Sequence, residues 1–148
     1  MEYSWLLITA FLVFIMQAGF LCLETGKIRS RNSINVAAKK ISDFIIAVLV
    51  YWAFGFALMF GESQNGLWGG SEFFFGDQQS PYQISFFLFQ TVFCGTAATL
   101  LSGAVAERMS FVGYLTISLV LSAVIYPVVG HWAWSSVYIE GNAGWLQE

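Results

Sequence analysis

Side chains that could bind a ligand or move a proton are few in this sequence, and the most conspicuous group is GHWAW at 130–134. It contains His131, the only histidine, and Trp134, with no charged residue beside them. An imidazole can bind a metal ion or transfer a proton, and the face of an indole attracts a cation. The stretch therefore raises metal binding, proton transfer and cation binding as candidate chemistries, beside a structural role at a helix end.

A second candidate face lies earlier in the chain, in FFLFQTVF at 86–93. Gln90 follows Phe86 by four residues and precedes Phe93 by three, so the three side chains share one face of a helix. An amide on this face could line a pathway or could hydrogen-bond to a neighbouring helix. The spacing favours neither reading.

The other reactive groups favour structural roles. Asp43 and Glu24 flank a basic cluster, and local ion pairing is favoured over a proton relay. Cys22 and Cys94 lie in apolar runs, where packing is the usual role of cysteine, and we expect no disulfide between them. The sequence shows no metal-ligand spacing, no nucleophile beside a base and no phosphate-binding loop. We therefore expect no catalytic residue, no metal, no cofactor and no enzymatic activity.

The elements that must position these groups are membrane helices. Hydrophobic residues make up 57% of the chain and charged residues 10%, whereas about a quarter of the residues of a soluble domain are charged. Four segments contain no Asp, Glu, Lys or Arg: 3–23, 44–61, 78–106 and 109–139. A spanning helix needs about 20 mainly apolar residues. The sequence thus predicts an all-α membrane protein with four transmembrane helices, at about 5–23, 34–60, 84–106 and 111–134.

The basic residues predict the orientation. Between the first and second charge-free segments lie Lys27, Arg29, Arg31, Lys39 and Lys40, and the sixth basic residue, Arg108, lies between the third and fourth segments. The loop 61–83 and the tail after Trp134 contain acidic but no basic residues. The positive-inside rule then puts both basic loops in the cytoplasm. We expect a multi-pass protein of the cell membrane with an extracellular or periplasmic N-terminus.

The first helix is interpreted as a retained anchor, because no basic residue precedes it as in a signal peptide. Within this orientation Phe93 would lie about nine residues, or roughly 14 Å, below the outer start of the third helix. Trp134 would lie shallower, near the outer end of the fourth helix. Position alone makes Trp134 an anchor at the membrane surface and His131 a polar cap at the helix end.

Small residues recur every four positions in the third helix. The two rows are Ala98, Ser102 and Ala106, and Gly95, Thr99 and Gly103. Such rows let helix backbones approach closely in lipid. We expect the third helix to be packed tightly inside a bundle, and four helices offer little interior for that, which predicts partner helices beyond these four.

Six segments resemble the ammonium transporter family, the Amt/Mep/Rh proteins, in order and in spacing. They are MQAGF at 16–20, ETGKIRSRN at 24–32, FGFALMFG at 54–61, FFLFQTVF at 86–93, SGAVAERM at 102–109 and YPVVGHWAW at 126–134. The resemblance implies that residues 1–148 are the N-terminal fragment of an eleven-helix transporter domain, with an outer N-terminus, that assembles as a homotrimer.

The resemblance also implies site residues. Trp134 matches the family's tryptophan at an outer aromatic ammonium site, and Phe93 matches the phenylalanine that caps the pore below it. His131 is not one of the family's two pore histidines, which belong to later helices. The family's remaining site groups would lie beyond Glu148.

The implied function is transmembrane ammonium transport for nitrogen uptake, with ammonium recruited outside and ammonia conducted inward. It would be incomplete in this fragment. The implied partners are ammonium or ammonia, the lipid bilayer and a cytoplasmic regulator or fused signalling domain, with no nucleic acid. Two alternatives stay open: an ammonium-sensing membrane domain of a signalling receptor, and a small four-helix protein that acts alone as a scaffold.

Overall fold

Four long helices dominate the computed structural model, which describes residues 2–28, 32–76, 79–105 and 109–147. They are α1 (Glu2–Lys27), α2 (Ser33–Phe60), α3 (Pro81–Val105) and α4 (Phe111–Val137). Each is long and apolar enough to cross a bilayer. The predicted all-α membrane fold with four transmembrane helices is confirmed.

Two helix starts have a local cause in the sequence. Ser80 and Gln83 form a capping box, in which the Gln83 amide N–H donates to Ser80 Oγ and the Ser80 amide N–H donates to Gln83 Oε1. With Pro81 at the first helical position, α3 therefore begins three residues before the predicted residue 84. The Ser110 hydroxyl caps α4 in the same way by accepting from the Gly113 amide. The predicted end of the third helix at Ala106 lies outside the described residues, as do Arg29, Arg31 and Arg108.

Both α2 and α4 contain one turn of π-helix, at Tyr51–Gly55 and at Leu121–Ile125. A π-turn inserts one residue into the helical repeat and shifts the faces on either side of it. The two turns contact each other. The two π-turns therefore determine which residues of α2 and α4 face each other on either side of them.

The third helix is the most central of the described part of the chain, since α1, α2 and α4 all pack against it. Its small-residue rows are largely buried, as expected: Gly95, Ala98, Thr99 and Ser102 are buried. Gly103 is exposed, and Ala106 lies outside the described residues. By contrast only 6% of the apolar window of α1 is buried, so α1 presents most of its surface to whatever surrounds these four helices.

A short β-hairpin, which the sequence analysis did not predict, follows α2. Ser63–Gln64 (β1) pairs antiparallel with Trp68–Gly69 (β2). Asn65 and Gly66 both have positive φ between the strands, and the Leu67 amide donates to the Gln64 carbonyl at 3.1 Å. Asn-Gly is the strongest short-range hairpin signal in a sequence. The turn was therefore readable from two residues of the loop.

The hairpin is fastened to the segment after α4. The Asn142 side chain accepts from the Ser63 amide at 2.6 Å and donates to the Gly61 carbonyl at 2.8 Å. The Trp145 amide donates to the Gly66 carbonyl at 2.9 Å. Nearby, the Tyr138 hydroxyl donates to Glu72 and accepts from Gln83, and burial raises the pKa of Tyr138 to about 12. These contacts join the loop, the start of α3 and the chain after α4 into one cap.

Gly69→Ala should destabilise this cap by about 1–3 kcal/mol, the usual cost of forcing an atom into a packed site. A β-carbon at Gly69 would overlap the Ala57 carbonyl oxygen and come within 2.8 Å of the Gly61 amide nitrogen. Both are backbone atoms, which cannot rotate away. Faster hydrogen exchange of β1 and β2 in the full-length protein would report the change.

Gly19→Ala is the matched control, because nothing lies within 4 Å of a β-carbon at Gly19. Alanine there should be neutral or slightly stabilising in a helix. Equal exchange of the hairpin in both variants would contradict the close packing of Gly69.

Candidate functional site

Trp134, the first residue of the outer aromatic site predicted from the sequence, lies in the last turns of α4. Its side chain is 56% exposed. Pro127 lies inside the continuous helix α4, two residues after the π-turn, and it removes one helical N–H donor there. The helix then tightens into a single 3₁₀ turn at Ser135–Val137. Trp134 thus stands at a helix end, with the face of its indole open.

Trp134 forms one wall of an apolar groove between α3 and α4, with a volume of about 220 Å³. The groove is lined by Ala97, Leu121, Ile125, Tyr126, Val129, Gly130 and Trp134. The π-turn contributes Leu121 and Ile125 to this lining. A cation in such a groove would meet an aromatic face and few competing waters, the setting in which cation–π attraction is strongest.

Phe93 lies on α3, twelve residues after Pro81, or roughly 18 Å along the helix. It is 37% exposed, and its ring packs edge to face on Phe89 with centroids 4.8 Å apart. Phe93 is not among the residues that line the groove, but Ala97, one turn further along α3, is. The structure therefore places the face of α3 that carries Phe93 beside the groove, but the rings of Phe93 and Trp134 are not in contact.

Phe89 is a residue that the sequence analysis missed. Its position four residues before Phe93 was a sufficient signal, since aromatic side chains at that spacing meet on a helix. Of the other members of the predicted face, Phe86 is buried in the core against the Phe60 ring. Gln90 is partly buried.

His131 corrects the prediction of a polar cap at the helix end. It is fully buried, with Nδ1 2.9 Å from the Met59 carbonyl oxygen and Nε2 3.0 Å from Ser63 Oγ. A carbonyl only accepts, so Nδ1 carries a proton, and Nε2 forms a hydrogen bond with the serine hydroxyl. Both nitrogens are therefore used in joining α4 to the end of α2 and to β1. Among the described residues, no cluster of His, Cys, Asp or Glu could hold a metal ion.

The predicted ion pairing holds for Glu24 but not for Asp43. Lys40 Nζ lies 2.7 Å from Glu24 Oε1, and the Ser102 hydroxyl donates to Glu24 Oε2 at 3.0 Å. Lys40 also lies 5.7 Å from the centre of the Phe20 ring. Asp43 is fully buried, and neither of its carboxylate oxygens has a hydrogen-bond partner. Asp43 forms no ion pair because its side chain points into the bundle toward α4 and not toward the helix ends.

Cys22 is exposed and Cys94 is buried, and both are free.

The fold and the groove together define a multi-pass helical membrane protein, apolar throughout its spans, with an open aromatic surface at one end of the α3–α4 pair. Comparison with known sequences gives the family. The sequence matches the Ammonium Transporter Family over residues 4–148. This chain belongs to that family.

Its relatives are ammonium transporters from distant organisms. It is 52% identical over 147 residues to a putative ammonium transporter of Synechocystis sp., and this alignment covers 97% of the chain and 27% of the relative. It is 44% identical over 146 residues to ammonium transporter Amt2 of Archaeoglobus fulgidus, and this alignment covers 98% of the chain and 30% of the relative. The chain thus spans about a third or less of the length of these relatives.

A solved structure shares the fold in detail. A protein described as a sensor Amt protein superposes with a TM-score of 0.93 at 41% identity, over 98% of this chain and 36% of that one. The four helices therefore pack here as they do within a longer Amt protein.

Proposed function

We propose that residues 1–148 form the N-terminal part of an ammonium-transport domain, in which ammonium is recruited at the α3–α4 groove and ammonia is conducted inward. The observation that carries the proposal is the open indole of Trp134 on the wall of an apolar groove, in a chain of the ammonium transporter family. Trp134 is the proposed ammonium contact. Phe93, with Phe89 packed on it, is the proposed cap of the pathway below.

The orientation and assembly are part of the same proposal. The N-terminus is extracellular or periplasmic and the two basic loops are cytoplasmic, because the positive-inside rule assigns them so. Most of the surface of α1 is unburied, which fits further helices of a longer subunit and the subunits of a homotrimer. The proposed partners are ammonium or ammonia, the lipid bilayer and a cytoplasmic regulator.

The groove cannot carry ammonium through the membrane alone. Ammonium has four N–H donors, and removing its water in an apolar site is costly unless acceptors replace it. An aromatic face recovers about 0.5–2 kcal/mol. Hydrogen-bond acceptors and a proton-accepting route must come from the rest of the transporter domain.

Trp134→Leu should weaken methylammonium uptake by the full-length protein, with a rise in KM of roughly 2- to 30-fold, the equivalent of one cation–π contact. Leucine keeps the apolar wall and removes only the aromatic face. Uptake of labelled methylammonium into cells that lack other ammonium transporters would measure the change.

Trp68→Leu is the control, because Trp68 is also an exposed tryptophan but lies on the hairpin, outside the groove. Its KM should stay at the parental value. An unchanged KM for Trp134→Leu would remove Trp134 from the proposed site.

A second function is favoured by the structural likeness to a sensor Amt protein. The same helices would then report ammonium to a cytoplasmic domain rather than deliver it. The coding sequence after residue 148 distinguishes the two functions. A signalling domain after the last membrane helix would support sensing, and a short tail would support transport.

A further inference from the structure

A row of unpaired polar groups lies inside the helix bundle, away from the outer groove. Tyr114, Ser118 and Ser122 follow one another every four residues on α4, and Asp43 faces them from α2. All four are 0–2% exposed. Five of their oxygens, both of Asp43 and the three hydroxyls, have no hydrogen-bond partner.

These oxygens belong to one cluster. The Tyr114 hydroxyl faces the Asp43 carboxylate, and Cys94 of α3 lies beside Ser122 and near Asp43. Ser118 lies one turn from both Tyr114 and Ser122. The row from Tyr114 to Ser122 extends over roughly 12 Å of α4.

The two serines differ from six other hydroxyls in these helices. Six helical hydroxyls donate to a carbonyl one turn earlier: those of Thr9, Thr25, Ser85, Thr91, Thr96 and Thr116. That local bond is the usual way to satisfy a hydroxyl at membrane depth. Ser118 and Ser122 do not make this local bond.

The cluster also carries an uncompensated charge. Glu24 and Lys40, the charged groups nearest to Asp43, cancel each other in their 2.7 Å ion pair. Tyr114 and Cys94, the other ionisable groups facing Asp43, bring no positive charge. An ionised Asp43 therefore has no cation of its own among the described residues, and an unpaired charge is costly in the membrane interior.

The missing partner must be small. The four side chains are closed off by the described helices themselves, and these helices pack in the same way within a longer Amt protein. A further helix or subunit cannot reach the cluster without separating α2 from α4. One carboxylate with neutral hydroxyls matches a single positive charge, whereas divalent cations usually take more carboxylates.

We infer that Asp43, Tyr114, Ser118 and Ser122 form an internal site for one small monovalent cation together with water. Carboxylate and hydroxyl oxygens suit alkali ions, and the same acceptors suit the N–H donors of ammonium. The shared chemistry is one positive charge held by oxygen. The site does not depend on the proposed transport function, and its test uses no transport measurement.

Water at the site can be detected by hydroxyl-radical footprinting of the full-length protein, since radiolysis of bound water labels adjacent side chains. Tyr114 should be modified severalfold faster than Tyr51. Tyr51 is an internal control, because it is fully buried and its hydroxyl contacts Met59 Sδ at 3.2 Å. A Tyr114 as unreactive as Tyr51 would overturn the inference.

The cation can be detected by the unfolding temperature of the full-length protein in potassium, sodium or ammonium chloride against choline chloride at equal ionic strength. A ligand that binds only the folded state raises this temperature with its concentration. At least one of the three salts should do so, and their order identifies the preferred ion. Equal temperatures in all four salts would show that water or a proton occupies the cluster and would refute the cation site.

Four variants test where the cation binds. Asp43→Asn should abolish the cation-dependent rise in unfolding temperature. Ser118→Ala keeps the carboxylate and should shift this rise to higher salt concentrations. Thr116→Ala removes an exposed hydroxyl bonded to the Val112 carbonyl and should leave the rise intact. Trp134→Leu should also leave it intact, which separates this site from the outer groove. A rise that survives both Asp43→Asn and Ser118→Ala would place the cation elsewhere and overturn the assignment.

Discussion

Replacing Lys40 by methionine should lower the free energy of unfolding of the full-length protein by about 3–5 kcal/mol, the usual cost of removing one partner of a buried ion pair. The side chains of Lys40 and Glu24 are 4% and 10% exposed, so water screens their 2.7 Å contact little. Methionine fills a similar volume but leaves Glu24 with only the Ser102 hydroxyl. It also leaves two buried carboxylates, Glu24 and Asp43, without a cation.

The paired variant makes this prediction specific. Glu24→Gln combined with Lys40→Met removes both charges of the pair, so it should cost much less than Lys40→Met alone. Lys39→Met is the matched control on the neighbouring residue. Lys39 is only partly buried and donates to the Met109 carbonyl at 3.1 Å, so its loss should cost less than about 1 kcal/mol.

Reversible unfolding in mixed detergent micelles measures these three variants and Glu24→Gln alone. If the double variant is as unstable as the sum of its single variants, Glu24 and Lys40 do not interact in the folded protein. If Lys40→Met is as stable as Lys39→Met, the pair is solvated rather than buried.

His131→Ala should destabilise the hairpin end of the protein by about 3–5 kcal/mol, because it creates a cavity and leaves buried polar groups unpaired. The imidazole is fully buried and bonds to the Met59 carbonyl and to the Ser63 hydroxyl. Loss of the ring removes the link between α4, the end of α2 and β1. The Trp134 wall of the groove lies one turn further along α4, so its order should fall as well.

Ser63→Ala tests the same link with a smaller change. It removes one bond of His131 and keeps the ring, so it should cost about 1–2 kcal/mol. Hydrogen exchange of β1 and β2, together with the unfolding measurement, would rank the two variants. A neutral His131→Ala would restore the view of His131 as a solvated helix cap and would contradict its burial.

The consequence for function is a separation of roles within GHWAW. His131 holds the hairpin end of the bundle together, and Trp134, three residues further on, lines the groove. A variant of His131 that reduces uptake should therefore also reduce stability, whereas Trp134→Leu should reduce uptake alone. Measuring both quantities on both variants distinguishes a structural residue from a binding residue.

From the sequence, most residues of the site could be placed only by their positions along a helix. Spacing put Gln90 and Phe93 on one face of α3, and the i to i+4 contact of Phe89 with Phe93 was equally readable. The capping box of Ser80 and Gln83 and the Asn65–Gly66 turn were local signals as well. Each depends on neighbours within a few residues, which is why sequence alone suffices for them.

The sequence by itself determined the four spans and the family, because a charge-free run of sufficient length has no stable place except a membrane or a core. Only the tertiary structure decided what each polar side chain meets. Glu24 finds Lys40 and Ser102, His131 finds Met59 and Ser63, and Asp43 finds no hydrogen-bond partner. These outcomes depend on which helix faces are opposed and on where the π-turns shift them. They are contacts between residues far apart in the chain, and no periodicity within one helix specifies them.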